Sequence, residues 1–69
     1  MNRLKILRKA RNLTQEELAK RITTSRSNIA NYENYLNFPS VEILIKLADF
    51  FNCSTDYLLG RGDDIAGRK

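Results

Sequence analysis

The chain has 69 residues with no histidine and a single cysteine, so it forms one small domain that no internal disulfide and no histidine–cysteine zinc site can stabilise. Its apolar fraction of 42% argues against disorder, and no apolar run approaches the ~20 residues that cross a bilayer. We therefore expect a cytoplasmic domain without membrane segment, metal or cofactor, held together by packed helices, with or without a second subunit.

The first predicted helix runs from Asn2 or Arg3 to Arg11. Its apolar side chains recur at helical spacing and so lie on one face: Leu4, Leu7 and Ala10. Basic residues fill its last turn, where the helix dipole favours positive charge. Asn12 suits the left-handed position that commonly follows the end of a helix.

A second and a third short helix, joined by a tight turn, form the centre of the predicted architecture. Thr14 stands three residues before Glu17, which is the capping-box pattern of a helix that begins at Gln15. The apolar residues of this helix share one face: Leu18, Ala19 and Ile22. Residues 23–25 are all Thr or Ser and interrupt the helix, because their hydroxyls compete for backbone hydrogen bonds. Ser25 suits the N-cap of the third helix.

The third helix has an outer face suited to hydrogen bonding. Ile29 and Tyr32 lie three residues apart and can face the second helix. Other side chains are predicted to point away from the core: Arg26, Ser27, Asn28, Asn31 and Asn34. Polar groups with almost no negative charge are what base edges and phosphates require of an opposing helix.

Residues 1–60 are predicted to form one all-α domain of five helices. The fourth helix runs from Val41 to about Phe51 and is apolar nearly all round, which indicates a core or interface element. A short fifth helix ends at Gly60. Serine residues suit the N-caps of both helices: Ser40 and Ser54. Residues 61–69 are predicted to be a flexible charged tail.

Basic residues are concentrated in the first half of the chain. The net charge is +4, with twelve Lys and Arg against eight Asp and Glu. Residues 1–34 hold eight basic and three acidic residues, whereas residues 35–60 hold one basic and three acidic residues. This asymmetry suits a polyanionic partner such as nucleic acid, although a solvated basic surface would have the same composition.

Three stretches, in their order and spacing, resemble the helix-turn-helix domain of Cro and the phage lambda repressor-like regulators: RLKILRKARNLTQEELAKR, SRSNIANYEN and PSVEILIKLADFFNCSTDYLLG. The resemblance covers Arg3 to Gly60. It implies a lambda repressor-like bundle of five helices, in which helices two and three form the helix-turn-helix, and double-stranded operator DNA as the partner. The third helix would lie in the major groove, and a dimer would span two half-sites.

The resemblance also implies roles for single residues, each with a solvated helix surface as the alternative. The base-reading positions are held by Arg26, Ser27, Asn28 and Asn31. Among these, Asn28 matches a position that touches flanking base edges or the sugar-phosphate backbone. Arg suits guanine and Asn suits adenine. Contacts to phosphate are expected of Gln15, Ser25 and Asn34. A phosphate contact is also expected of Arg11, because of its positive charge. Arg8 and Glu33 match an ion pair between helices one and three.

Two residues stand where the family usually has glycine. Thr23 lies in the turn between helices two and three, and a left-handed φ would strain its β-branched side chain. Tyr35 directly follows helix three and, with Leu36 and Phe38, places apolar side chains in a loop that is more often polar. These three residues either fold back over helix four or meet the DNA backbone or a protein partner.

A homodimer contact is expected at the stripe of helix four that holds Ile43 and Phe50, together with the adjoining end of helix five. A second copy is expected because a palindromic operator requires a two-fold axis.

The predicted function is a sequence-specific transcriptional regulator, specifically a repressor. The alternative is an antitoxin or antirepressor-partner module of the same fold. An enzyme is not expected, because no nucleophile–base pair or metal cluster is recognisable, and Cys53 is interpreted as a buried packing residue.

Overall fold

The computed structural model describes residues 1–61, which contain five α-helices. The elements are α1 (Asn2–Ala10), α2 (Gln15–Ile22), α3 (Arg26–Glu33), α4 (Val41–Phe51) and α5 (Thr55–Leu58). The all-α prediction of five helices is confirmed, and α4 has the predicted boundaries. The predicted tail lies outside the described residues from residue 62 onward. Within the described range, no helix combines the length and apolar character needed to cross a membrane.

Side-chain caps fix where four of the helices begin. The Thr14 hydroxyl accepts the Glu17 N–H at 3.0 Å, and the Glu17 carboxylate accepts the Thr14 N–H at 2.8 Å, which completes the capping box. These hydrogen bonds with Thr14 lower the pKa of the Glu17 carboxyl, because they favour its charged form. Serine hydroxyls cap the other three helices: Ser25, Ser40 and Ser54.

Four residues other than glycine have positive φ within the described range. Asn12 (57°) and Asn52 (56°) follow α1 and α4, and asparagine tolerates this conformation because its side chain is short and polar. Thr23 (66°) and Tyr35 (64°) follow α2 and α3. These are the two positions where the family pattern has glycine, and the Cβ of each residue crowds the backbone.

We expect Thr23→Gly to raise the free energy of unfolding by roughly 0.5–1 kcal/mol. A left-handed conformation costs a residue with a Cβ roughly 1–2 kcal/mol, and the greater flexibility of glycine in the unfolded chain offsets roughly 0.5–1 kcal/mol of that gain. Thermal unfolding followed by circular dichroism measures the change, with Thr23→Asn expected to give a smaller increase. An unchanged or lower melting temperature for the glycine variant would contradict strain at Thr23.

The core lies between all five helices, and each helix contributes one fully buried side chain: Leu4, Leu18, Ile29, Leu47 and Leu58. α2 packs against α3 and α4, while α1 packs against α3 and α5. Cys53 is buried as predicted, and burial raises the pKa of its thiol. The helix-turn-helix pair therefore lies on a scaffold that supports α3 from behind.

Candidate nucleic-acid interface

α3 turns its polar face to solvent. Its buried side is formed by three residues: Ile29, Tyr32 and Glu33. Helical periodicity places Ser27, Asn31 and Asn34 on the opposite side. Ser27 and Asn34 are exposed and Asn31 is half-buried. Since Glu33 is the only acidic residue of α3, the exposed face carries no negative side chain.

Arg26 and Asn28 flank this polar stripe at the start of α3, and both are exposed. The Asn28 N–H donates to the Ser25 hydroxyl at 3.1 Å, and the Asn28 amide donates to the Thr24 hydroxyl at 2.9 Å. These bonds fix the first turn of α3. The Ser25 hydroxyl can still donate its own proton, and the Asn28 amide keeps its oxygen as an acceptor.

A buried ion pair fixes the other end of α3 to α1. Arg8 Nε lies 2.6 Å from Glu33 Oε2, and Arg8 Nη2 donates to Glu33 Oε1 at 3.1 Å, so the pair is bidentate. Arg8 Nη1 also donates to the Leu13 carbonyl at 2.7 Å. The structure therefore brings together the two residues that the family resemblance pairs, and they join α3 to α1.

Gln15, expected at a phosphate, also joins this pair. Its side-chain Nε2 donates to Glu33 Oε1 at 3.1 Å, so the start of α2 is tied to the end of α3. The second proton on that nitrogen and the backbone N–H groups at the start of α2 can still meet a phosphate. The phosphate contact stays a prediction, and the link to Glu33 is a positioning role that the sequence pattern did not indicate.

The start of the chain makes a further contact with α3 that sequence reasoning missed. The Met1 side chain is buried, and its ammonium donates to the Tyr32 carbonyl at 2.7 Å. Burial lowers the pKa of this ammonium, and the nearby negative charge of Glu33 opposes the shift. No local pattern around Met1 signals the contact, because its partner lies 31 positions away in the chain.

Arg11 lies against the end of α4. Its Nη1 donates to the Phe50 carbonyl at 3.0 Å, and its guanidinium lies 5.1 and 5.2 Å from the ring centroids of Phe50 and Phe51. Arg21 also approaches the Phe50 ring, at 6.0 Å. Contact of Arg11 with phosphate stays a prediction, and it would require the guanidinium to share its donors between α4 and DNA.

Ile43 and Phe50, expected at a dimer contact, are half-buried and pack against the core. The Phe50 ring makes an edge contact with Phe51 at a centroid distance of 5.0 Å, in addition to the arginine contacts above. The dimer contact at this stripe stays a prediction. Because Ile43 and Phe50 are half-buried, they expose less apolar surface to a partner than two fully exposed residues on this stripe would.

The loop after α3 exposes its apolar side chains. Tyr35, Leu36 and Phe38 are 63%, 70% and 71% exposed, so the alternative in which they fold back over α4 is wrong. The Leu36 N–H donates to the Asn31 carbonyl at 2.9 Å, which holds the loop beside the C-terminal end of α3. The remaining alternative for these residues is a contact with DNA or with a protein.

In residues 1–61, no group of three or more His, Cys, Asp or Glu side chains could hold a metal ion.

Comparison with known proteins identifies relatives over nearly the whole chain. A helix-turn-helix family model matches residues 4–58. The chain is 39% identical over 61 residues to the HTH-type transcriptional regulator ImmR of Bacillus subtilis, covering 88% of this chain and 48% of ImmR. It is 38% identical over 63 residues to the uncharacterized HTH-type transcriptional regulator MJ0272 of Methanocaldococcus jannaschii, covering 91% of this chain and 96% of MJ0272.

A third relative is the cryptic phage CTXphi transcriptional repressor RstR of Vibrio cholerae, which is 41% identical over 59 residues. That match covers 86% of this chain and 53% of RstR. The chain thus spans about half the length of ImmR and RstR. No solved structure shows a significant match to it.

Proposed function

The chain belongs to the helix-turn-helix family, and from this premise we propose that it is a transcriptional regulator, a repressor, that binds operator DNA with α3 in the major groove. The observation that carries the proposal is the exposed, acid-free face of α3, held by the buried pair of Arg8 and Glu33. The chain's similarity to ImmR, a transcriptional regulator, and to RstR, a transcriptional repressor, supports it.

Four side chains of α3 are proposed to read base edges: Arg26, Ser27, Asn28 and Asn31. Arg26 can donate two hydrogen bonds to guanine O6 and N7, and Asn31 can pair with adenine N6 and N7. Ser27 can meet either a donor or an acceptor. Ala30 lies on the same side of α3 as Ser27 and Asn31, and its methyl group suits the methyl group of thymine.

Phosphate contacts are proposed on either side of these base contacts, by Gln15, Ser25, Asn34 and Arg11. The start of α2 offers unpaired N–H groups and the positive end of a helix dipole to a phosphate. Such contacts position the protein without reading sequence. The cytoplasm, where DNA is accessible, is the proposed location, and the domain acts by binding rather than by catalysis.

Selection from a random duplex library, followed by a salt titration on the winning sequence, tests this proposal. We expect one family of related sequences to be enriched, and the logarithm of the association constant to fall linearly with the logarithm of the salt concentration, by about 0.9 per phosphate contacted. A scrambled duplex of the same composition is the control. Equal binding to all duplexes at low salt would contradict sequence-specific recognition.

The alternative function, an antitoxin or antirepressor-partner module, is favoured by the exposed side chains of Tyr35, Leu36 and Phe38. In that case the loop after α3 would bind another protein, and operator binding would be secondary. A pull-down from the native host, compared with an operator shift assay, distinguishes the two functions. Recovery of a stoichiometric protein partner without any selective DNA binding would favour the alternative.

A further inference from the structure

The amino group of Met1 lies inside the domain, at the C-terminal end of α3. Met1 is only 3% exposed and its side chain belongs to the hydrophobic core, so packing fixes the position of the nitrogen. The ammonium donates to the Tyr32 carbonyl at 2.7 Å, and the Tyr35 N–H donates to the same oxygen at 3.3 Å. The amino group is therefore the closer of these two donors to a carbonyl in the last turn of α3.

This position favours α3 rather than α1. The carbonyl groups at the C-terminal end of a helix carry partial negative charge, which a nearby cation stabilises. The last turn of α3 contains no basic residue, and the Met1 ammonium supplies positive charge there. At the start of α1 the same charge is unfavourable, because that end of the helix dipole is positive and the first turn of α1 contains no acidic residue.

Burying the ammonium costs free energy, and groups of α3 offset part of that cost. Burial lowers the pKa of the ammonium, and the negative charge of Glu33 opposes this shift. Glu33 is itself held by hydrogen bonds from Arg8 and Gln15. The amino group therefore belongs to the set of contacts that joins the start of the chain to the last turn of α3.

We propose that the Met1 amino group is a modification-sensitive site, at which an Nα-acyl group detaches the start of α1 from α3 and weakens operator binding. The effect on operator binding rests on the proposed function, whereas the effect on the domain itself does not. The acyl group is formyl or acetyl, and both convert the ammonium into a neutral amide.

The two acyl groups have different sources and the same consequence at the nitrogen. A formyl group is carried from initiation by a bacterial chain that is not deformylated. An acetyl group is transferred from a thioester, with release of the thiol and loss of a proton from the nitrogen. In both cases an N–C bond takes the place of an N–H bond, and the positive charge is lost.

An amide is a poor replacement for the ammonium at this position. The ammonium can direct any of three N–H groups at the Tyr32 carbonyl, whereas the amide keeps one N–H in a fixed plane. The acyl atoms also need space beside a nitrogen that is packed at the core. The acyl oxygen adds an acceptor near the Tyr32 carbonyl and the Glu33 carboxylate, which are acceptors already.

The sign of the stability change distinguishes this inference from the ordinary effect of acylation on a helix. At the start of an isolated helix an acyl group is stabilising, because it removes a positive charge from the positive end of the dipole and adds a carbonyl that can accept a hydrogen bond from the first turn. Loss of the contact between Met1 and Tyr32 has the opposite sign. A lower melting temperature after acylation is therefore the specific expectation.

The test uses the 69-residue chain made by chemical synthesis with a free, a formylated or an acetylated Met1. We expect both acyl groups to lower the melting temperature by roughly 5–10 °C. At a temperature where every chain is folded, they should weaken binding to the selected operator about 3- to 10-fold more than binding to an unrelated duplex. A chain that lacks the Met1 nitrogen should show the same losses without the added bulk.

Nα-methylation of Met1 and Nε-acetylation of Lys5 are the matched controls. The first adds a carbon to the same nitrogen but keeps the charge and two N–H donors, and the second removes a charge from an exposed side chain of α1. Both should keep the melting temperature close to that of the free-amine chain. Acylated chains that melt at the same or a higher temperature, or an Nα-methyl chain that is destabilised as much as they are, overturn the inference. Full stability of the chain without the Met1 nitrogen overturns it as well.

The outcomes also separate this inference from the proposed function. If no duplex is bound selectively, the proposed function fails, and the melting temperatures alone decide whether the amino group joins α1 to α3. Lower melting temperatures with an unchanged preference for the selected operator overturn the inference and leave the proposed function intact. The intact mass of the protein from its native host distinguishes formyl from acetyl. Fully acylated protein that melts and binds like the free-amine chain overturns the inference.

Discussion

Glu33→Ala is expected to lower the free energy of unfolding by roughly 3–5 kcal/mol, because it leaves the Arg8 guanidinium buried without its counter-charge. The Glu33 carboxylate accepts hydrogen bonds from Arg8 and Gln15, and both members of the ion pair are nearly inaccessible to solvent. A domain of this length has a total stability of roughly 3–10 kcal/mol. The variant should therefore be partly or largely unfolded, as urea titration followed by circular dichroism would measure.

Two further variants show whether the loss comes from the unpaired charge. Asp49→Ala removes an exposed acidic residue of α4 and should change stability by no more than about 0.5 kcal/mol. The double variant Arg8→Met with Glu33→Leu removes both charges and should recover most of the loss, since apolar side chains of similar volume can replace a buried pair. A Glu33→Ala variant within about 1 kcal/mol of the wild type would show that water reaches Arg8 in the domain.

The double variant also separates stability from positioning. Its α3 would lose the hydrogen bonds that join Glu33 to Arg8 and Gln15, and within residues 1–61 only the bond from the Met1 ammonium to the Tyr32 carbonyl would remain between the start of α1 and α3, although the domain stays folded. Affinity for the selected operator should then fall more than affinity for unrelated duplex, because base contacts depend on the orientation of α3 and phosphate contacts depend on it less. Equal loss on both duplexes would indicate that packing alone orients the helix.

The helices could be predicted because the signals that start and end them are local. Thr14 and Glu17 are three residues apart, so the capping box is complete within one turn of chain and is readable from the sequence alone. Ser40 and Asn52 likewise delimit α4 by short-range hydrogen bonds and backbone conformation. Left-handed φ at Thr23 and Tyr35 follows from the same end-of-helix geometry.

The contacts around the candidate site could be predicted only in part, because they join residues that are distant in the chain. The family pattern supplied the pairing of Arg8 with Glu33, which no spacing rule contains. Glu33 lies 18 positions after Gln15, and only the packed positions of α2 and α3 bring the two side chains together. Arg11 was assigned from its charge, but its long stem carries the guanidinium to the Phe50 carbonyl.

The exposed loop after α3 illustrates a different limit. Apolar side chains are expected in the interior unless a partner covers them, so the sequence alone left burial and exposure of Phe38 equally open. The structure decides for exposure, and the hydrogen bond from the Leu36 N–H to the Asn31 carbonyl holds the start of the loop at the end of α3. Whether a partner covers Phe38 depends on a second molecule and is outside the reach of a pattern in one chain.

Arg26→Ala is expected to weaken binding to the selected operator by roughly 1–3 kcal/mol and to relax its preference at a single base pair. Arg26 is exposed at the start of α3, beside the polar stripe that faces away from the core, so its guanidinium can reach a base edge without disturbing the fold. The measurement is a titration against the operator and against its variants at each position. The melting temperature should stay close to that of the wild type, because the side chain is solvated in the free domain.

Two arginine variants distinguish base reading from charge. Arg26→Lys keeps the positive charge but lacks the planar pair of donors that matches guanine O6 and N7, so it should keep the salt dependence and lose the base preference. Arg21→Ala removes an exposed charge from α2 and should weaken all duplexes about equally, if it changes binding at all. If Arg26→Ala instead weakens every duplex to the same extent and Arg26→Lys restores binding fully, Arg26 contacts phosphate. In that case the sequence must be read by Ser27 and Asn31 nearer the middle of α3.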